Sequence, residues 1–348
     1  MLLYDIGKQR SLRMKNLFGP FFITVWLSML LLAFGAVPSE SAEIRRPASS
    51  PVKVHVTIFV IDVDEINSAS QKFDANVYIQ YRWRDQRLAH KGLQSIVRPL
   101  AEIWNPEIQV INQQKLWLTF PDIVKIDPDG EVLYRQRAWG SFSQPLKLHD
   151  FPFDRQVFSI QLAAINSSRT EVELVQDTKE ESGISQDLSV ADWKVLRWKA
   201  EPQAYEPTPT MNAIPGFTFS FEAAREDGYF IIKVIIPLIL IVAMSWVVFW
   251  IDPMDSGTQI SVAITTMLTL IAYRFAIDVD LPKISYLTRL DYFILISTIL
   301  VYASLIEVIV TSAFAKGDRL SQARRIDRWM RLLFPSVFFI VAVKTLFL

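Results

Sequence analysis

The segment YFIIKVIIPLILIVAMSWVVFW, residues 229–250, is an almost continuous apolar run that is long enough to cross the hydrocarbon core of a bilayer. Three more apolar runs follow it, at residues 260–277, 292–315 and 332–348. Allowing for a polar turn before each later run, we predict transmembrane helices over 229–250, 258–277, 289–315 and 328–348. Residues 228–348 are therefore expected to form a four-helix transmembrane domain.

The chain before this domain has the pattern of short strands. Residues 52–60, VKVHVTIFV, alternate apolar with mostly polar side chains, which is the period of a half-buried strand. Similar runs recur as far as residue 223, separated by turn signals such as DPDG at 127–130. About eight to ten short strands predict an antiparallel, immunoglobulin-like β-sandwich over residues 43–227. Four prolines within 201–216 exclude a central strand there and predict an exposed loop.

The N-terminus has the order of an export signal. Four basic residues within 8–15 precede an apolar run at 17–36, and small and polar residues follow it. We therefore predict a signal peptide over residues 1–42, with Met1 or Met14 as the first residue. The alternative is a retained membrane anchor, because the apolar run is about as long as a bilayer-spanning helix.

The basic segment between the last two apolar runs indicates the orientation. Residues 316–331 carry six Lys and Arg residues, and such segments stay in the cytoplasm. Counting spans then places the sandwich and the C-terminus outside, which agrees with an export signal. The sequence predicts a multi-pass protein of the inner (plasma) membrane, in contact with lipid.

Composition and motifs exclude several classes of function. Lys plus Arg and Asp plus Glu balance at 36 each, so net charge gives no reason to expect a nucleic-acid partner. The chain has no cysteine, which excludes disulfides and thiolate metal sites, and its three histidines are scattered. Since HExxH, GxSxG and phosphate-binding glycine loops are missing, we expect neither an enzyme nor a cofactor or metal.

One face of the second predicted span carries a series that passes from hydroxyl to apolar side chains. This series, the pore stripe, consists of Ser261, Thr265, Leu268, Ala272, Phe275 and Val279. Hydroxyls can replace part of an ion's hydration shell, so the stripe predicts the lining of an aqueous pore built from several copies of the chain. A ring of Leu268 would gate by dewetting. The alternative is that Ser261 and Thr265 bond neighbouring helices or their own backbone.

Acidic residues flank this span at both ends. Asp255 precedes it, and Asp278 and Asp280 follow it. In a ring of subunits they would form charge rings that concentrate cations and repel anions. Asp255 can also be explained as a carboxylate that stabilises the helix N-terminus, but negative charge at the other end is unfavourable for the helix dipole. The two acids at that end therefore favour a cation pathway.

Several motifs together resemble one family. They are WRD at 83–85, WNPE at 104–107, FPFDRQ at 151–156, DSGTQIS at 255–261 and LPK at 281–283. In this order they resemble the pentameric ligand-gated ion channels, which include nicotinic receptors. Gln144 and Phe158 replace the two cysteines of animal members and the cytoplasmic link is short, so the chain is similar to the bacterial type. The resemblance implies a homopentamer of identical subunits, gated by a small-molecule agonist or by protons, with a pore for monovalent cations.

One departure leaves selectivity open. Thr258 stands where cation-selective members have glutamate, although the Pro-Ala element of anion-selective members is also missing. An anion-selective channel and a non-conducting membrane receptor of the same architecture are the alternatives. The hydroxyls of Ser261 and Thr265 favour a channel over a receptor.

The resemblance also implies an agonist site between subunits. Tyr78, Tyr205 and Phe217 align with residues that contact the agonist in the family, where aromatic side chains surround an amine. Ile111 and Ile165 replace aromatic residues, so the aromatic cage is reduced. Packing inside the sandwich is an equally good explanation for Tyr78 and Phe217.

A further set of aligned residues implies the layer that couples the sandwich to the helices. It comprises Phe153, Asp154, Arg225, Pro282 and Lys283. The resemblance implies an ion pair between Asp154 and Arg225. Bacterial members often add an acid from the first hairpin, where this chain has Asn67 and Ser68. The nearby acids Asp62, Asp64 and Glu65 are the candidates to substitute for it.

Arg274 and Glu307 are among the charged residues that fall inside the predicted spans. Arg274 is adjacent to the pore stripe but off it, so we expect it to face a neighbouring helix or the vestibule. Glu307 lies near the end of the third span. We expect it at the cytoplasmic interface, with a position against another helix as the alternative.

Overall fold

The computed structural model describes residues 46–47, 51–278 and 281–346. Two parts follow one another along the chain: strands from Val52 to Arg225, and helices from Gly228 onward. The predicted signal peptide over 1–42 lies outside the described residues, as do Val279 of the pore stripe and Asp280.

Two sheets form the sandwich. Its strands are β1 Val52–Asn67, β2 Lys72–Arg84, β3 Ile96–Pro99, β4 Ile108–Val110, β5 Gln113–Leu118, β6 Ile123–Ile126, β7 Glu131–Ser143, β8 Arg155–Ala164, β9 Val172–Gln176, β10 Gly183–Ile184, β11 Trp193–Pro202 and β12 Gly216–Arg225. One sheet has the order β10-β1-β2-β7-β6-β3, with β5 also paired to β7 and β9 to β1; the other has the order β11-β12-β8-β4. β1 pairs in parallel with β9 and β10, and the remaining pairs are antiparallel.

The core lies between the two sheets. Alternate residues of β7 from Val132 to Gly140 are buried, as a strand with one wet face requires. Phe73 of β2 lies 5.1 Å from Phe142 and 5.8 Å from Phe221 of the opposite sheet, measured between ring centroids. These fully buried rings hold together a sandwich that has no disulfide.

The proline-rich segment before β12 is a loop. Residues 203–215 contain only an isolated bridge between Tyr205 and Ile214, and most of them are exposed. The exposed loop within 201–216 is therefore confirmed, although its first two residues belong to β11 and its last residue to β12.

Four long helices follow the sandwich. They are α1 Gly228–Trp250, α2 Ser256–Ile277, α3 Arg289–Lys316 and α4 Leu320–Leu346. Each is long and apolar enough to cross a membrane. α1 is irregular, because a π-helical turn at Ile231–Ile235 precedes its regular part and a 3-10 turn at Val247–Trp250 ends it. Thr288 and Asp291 form a capping box at the start of α3.

The start of α4 differs from the prediction of residue 328. The helix begins at Leu320, so Arg324, Arg328 and Arg331 lie on its first turns. The apolar pattern begins only at residue 332, but arginine has a high helix propensity and backbone hydrogen bonds continue through charged turns. The link between α3 and α4 is thus shortened to residues 317–319.

Candidate ion pore and its coupling to the sandwich

α2 has two different faces within the subunit. The helix packs against α1 and α3, and Gln259, Ala263, Thr266 and Leu270 are buried. The five described residues of the pore stripe are all exposed, and Leu268 exposes 61% of its surface. The subunit does not use the pore stripe for its own packing, so this face is available to water, lipid or another subunit.

Threonine hydroxyls on the exposed face donate to the preceding helical turn. Thr265 Oγ1 donates to the carbonyl oxygen of Ser261 at 2.8 Å, and Thr269 Oγ1 to that of Thr265 at 2.9 Å. The backbone bonding that was the alternative to a pore role is therefore present. Because the hydrogen points at the backbone, the hydroxyl oxygen presents its lone pairs outward. This face of α2 therefore offers hydrogen-bond acceptors.

The acids before α2 have local partners. Asp255 caps the helix, since its carboxylate accepts from the N–H of Thr258 at 3.3 Å. Asp252 accepts from the N–H of Met254 at 3.0 Å and from Arg324 of α4 at 2.7 Å. The Met254 N–H first, and Arg324 after it, lower the pKa of Asp252. Asp255 remains exposed, so capping does not prevent it from facing a pore entrance.

The opposite end of α2 is also open. Asp278 and Arg274 are exposed, and the Asp278 N–H donates to the Arg274 carbonyl at 3.1 Å. Arg274 lies off the pore stripe, as its spacing predicts. An exposed carboxylate therefore lies at each end of α2, Asp255 before the helix and Asp278 after it.

Arg225 is the centre of a buried cluster where β12 leads into α1. Its Nε donates to Asp154 Oδ1 at 2.8 Å, and neither side chain is more than 5% exposed. The guanidinium also lies over the rings of Trp193, at 4.3 Å, and Phe151, at 4.9 Å. Gln156 Nε2 donates to the other oxygen of Asp154 at 2.7 Å. The Asp154–Arg225 pair is therefore present, and both charges are partnered.

A serine occupies the place of the second acid. Arg225 Nη2 donates to Ser68 Oγ at 3.1 Å. The candidate acids are held by other groups: Asp62 accepts from Ser189 at 2.6 Å, Asp64 from Trp139 at 2.6 Å, and Glu65 from Asn67 at 2.8 Å. The expectation that one of them substitutes was wrong, because each lies along β1 beside a nearer donor.

The loop between β7 and β8, residues 144–154, docks on the segment that leads into α3. The Leu148 N–H donates to the Tyr286 hydroxyl oxygen at 3.0 Å, and the His149 ring stacks on Tyr286 with centroids 4.2 Å apart. Asp150 forms an ion pair with Arg289 at 2.8 Å. The β7–β8 loop is thus bonded directly to the start of α3.

Sequence reasoning missed His149, Asp150 and Arg289. Their residue types are ordinary for loops, and only contact with a segment distant in sequence reveals their role. Of the nearby motif residues, Pro282 is half-buried and Lys283 is exposed. Phe153 is half-buried and packs against the core.

The three residues aligned with an agonist site lie in different environments. Tyr78 is half-buried on β2; its hydroxyl donates to Gln80 Oε1 at 3.1 Å, and burial raises its pKa. Tyr205 is half-buried in the 203–215 loop. Phe217 is 0% exposed and lies in the sandwich core, so a ligand could reach it only if the sheets separated. For Phe217 the packing explanation is correct.

Glu307 is buried between helices rather than placed at the interface with water. It is 8% exposed and faces Asp327 of α4, which is 1% exposed. The alternative position, against another helix, is therefore correct, because α4 begins early enough to cover Glu307. Within the described ranges no group of three or more His, Asp or Glu side chains could hold a metal ion.

A β-sandwich joined through a buried arginine to four helices that are long and apolar enough to cross a membrane defines a two-part membrane protein with a helical transmembrane domain. Residues 40–226 match the neurotransmitter-gated ion-channel ligand binding domain, and residues 234–319 match the neurotransmitter-gated ion-channel transmembrane region. The first match alone spans more than half of the chain, so the protein belongs to the pentameric ligand-gated ion-channel family.

The chain is similar to the proton-gated ion channel of Gloeobacter violaceus (strain ATCC 29082 / PCC 7421). The two are 25% identical over 308 residues, which are 86% of this chain and 84% of the relative. The resemblance to the bacterial type is confirmed. The protein is a multi-pass membrane protein of a ligand- or proton-gated ion-channel family, and the members of that family are not enzymes.

Proposed function

We propose that this protein forms a homopentameric, cation-selective channel in the inner membrane, with the sandwich and the C-terminus outside and α2 lining the pore. The observation that carries the proposal is the exposed pore stripe, opposite to the face that packs on α1 and α3. One helix cannot enclose water, whereas several copies around an axis can. The outward lone pairs of Thr265 and the carboxylates of Asp255 and Asp278 support cation selectivity, to which Asp280 would add.

The proposed agonist site combines Tyr78 and Tyr205 of adjacent subunits. Tyr78 lies on β2 of one sheet, and Tyr205 follows β11 of the other. The location between subunits is the one that the family resemblance implies. The agonist is a small molecule or a proton; the similarity to a proton-gated relative supports the proton.

The proposed coupling path runs from the 144–154 loop and Arg225 into α1 and α3. Phe153, Asp154, Pro282 and Lys283 belong to it, and the contacts of Tyr286 and Arg289 complete it. Movement of the sandwich would reach α3 through these bonds and α2 through the connection that contains Pro282.

Thiol accessibility tests the pore assignment directly. The chain has no cysteine, so Ser261→Cys, Thr265→Cys and Leu268→Cys each introduce the single thiol of the subunit. In reconstituted channels, a water-soluble thiol reagent should block current through all three variants. Ala263→Cys and Leu270→Cys are the matched controls on the packed face and should stay unmodified. If the control cysteines reacted with the reagent and the cysteines of the pore stripe did not, the assignment would be refuted.

Reversal potentials in asymmetric NaCl test selectivity. A shift toward the sodium equilibrium potential is expected, and a shift toward that of chloride would establish the anion-selective alternative. Absence of conductance at every outer pH and with a panel of amines and carboxylates would establish the non-conducting receptor.

A further inference from the structure

Two carboxyl groups are buried against each other at one end of the helix bundle. Glu307 of α3 and Asp327 of α4 interact across the interface between these helices. In the part of the chain that the structure describes, no donor reaches Glu307 Oε1, Glu307 Oε2 or Asp327 Oδ1. Buried charge without a partner is costly, and acids inside a membrane domain are rarely there without a function.

The surrounding charges do not balance this pair. Arg324 is bonded to Asp252 at 2.7 Å, and Asp252 still acts on Asp327 with a charge of the same sign. Arg331 acts on Asp327 by its charge, while its Nε donates to the Phe249 carbonyl at 2.8 Å. If both carboxyls were ionised, Arg331 would offset only one of them. One negative charge would remain in a buried position.

A proton is the cation that fits this position. A metal ion needs several oxygen ligands, and the described residues offer no group of three or more acidic or histidine side chains. A proton needs none beyond the pair, because one carboxyl then donates and the other accepts. We propose that Glu307 and Asp327 form a binding site for one proton, and that this shared proton holds α4 against α3.

α4 is the helix that such a site can release. Four of its described residues are buried, namely Ala323, Asp327, Phe334 and Phe338, whereas α3 has eleven buried residues. Loss of the proton leaves two adjacent carboxylates, which repel each other and favour water entry. The first turns of α4 should therefore separate from α3 as the pH rises. The orientation in the proposed function makes this the cytoplasmic side, so the site would respond to internal rather than external pH.

Infrared difference spectroscopy on the reconstituted channel tests the proton directly. The wild type should show a protonated-carboxyl stretching band that disappears as the pH is raised. Glu307→Gln and Asp327→Asn should each abolish this band. Asp318→Asn, which removes an exposed carboxyl from the α3–α4 link, is the matched control and should retain it. A wild type without such a band, or a band that survives in both variants, overturns the proposal.

Distance measurement tests the mechanical consequence. Spin labels on cysteines at the exposed positions Ile309 of α3 and Leu333 of α4 should move apart at alkaline pH in the wild-type background. In the Glu307→Gln background the distance should not change with pH. A pH-independent distance in both backgrounds would overturn the release of α4. These readouts need no current, so they can fail while the channel conducts, or succeed in a chain that does not.

Discussion

The arginine cluster below the sandwich and the carboxyl pair between α3 and α4 both bury charge, but they differ in whether that charge is matched. Arg225 has a carboxylate, a serine hydroxyl and two aromatic faces around it. Glu307 and Asp327 interact with each other, and Arg331 acts on Asp327 by its charge. Two like groups satisfy each other only when a proton is added.

The difference suggests two uses of buried charge. A matched cluster keeps its contacts as the surroundings change, so it can transmit movement from the sandwich to the helices as a rigid joint. An unmatched pair changes its contacts when one proton binds or leaves, so it can act as a switch.

Removing the arginine should damage the matched cluster most. Arg225→Ala leaves Asp154 buried without its cation, which typically costs about 3–5 kcal/mol. We expect a large fall in the thermal unfolding temperature, with loss of pentamers in size-exclusion chromatography. The control is Arg197→Ala: Arg197 bonds Glu222 at 2.6 Å with its side chain 79% exposed, and an exposed pair contributes only about 0–1 kcal/mol. Equal effects of the two substitutions would contradict a structural role for burial.

Neutralising one carboxyl of the pair should stabilise the folded protein, the opposite of the effect of Arg225→Ala. Glu307→Gln removes one of two like charges and supplies a donor to Asp327, so we expect stabilisation of about 1.5–3 kcal/mol at alkaline pH, the scale of a hydrogen bond to a charged group. At acidic pH the gain should vanish, since the wild-type pair then carries its own proton. Thermal unfolding at several pH values measures this. If Glu307→Gln destabilised the protein at every pH, Glu307 would be a matched buried charge, as Asp154 is.

Loss of a single hydrogen bond in the coupling path should have a smaller effect. Tyr286→Phe keeps the stack on His149 but removes the oxygen that accepts from the Leu148 N–H. A shift of about 1 kcal/mol in the closed-to-open equilibrium is expected, which is about a fivefold change in open probability when that probability is low. Tyr292→Phe, on an exposed position of α3, is the control. Identical dose–response curves for the wild type and Tyr286→Phe would remove Tyr286 from the path.

The exposed ion pair at the start of α4 should have the smallest effect. The pKa of Asp252 is lowered in the folded protein, so its contribution is present at neutral pH and is lost only as the pH falls through that lowered value. Asp252→Asn keeps both carboxyls of the Glu307–Asp327 pair, so the α3–α4 distance should still increase at alkaline pH. If it abolished that response, the switch would lie in the Asp252–Arg324 pair instead.

Sequence reasoning located the elements well and the partners poorly. The strands, the four spans and the exposed face of α2 follow from apolar periodicity, which is a property of neighbouring residues. The start of α4 was placed too late, because a hydropathy pattern ends where charge begins while the helix continues. Phe217 was assigned to a ligand although it packs in the core, because an aromatic residue on a strand has the same pattern in either role.

By itself the sequence determined the two-part architecture and the alternation of faces on each strand and helix, because covalent order and backbone geometry impose these periods. Only the tertiary structure decided that Ser68 joins Arg225, that Tyr286 receives the Leu148 N–H, and that Asp327 meets Glu307. The first two contacts join residues 157 and 138 positions apart. Over such separations no local period relates two side chains, and packing of the whole chain selects which of them meet.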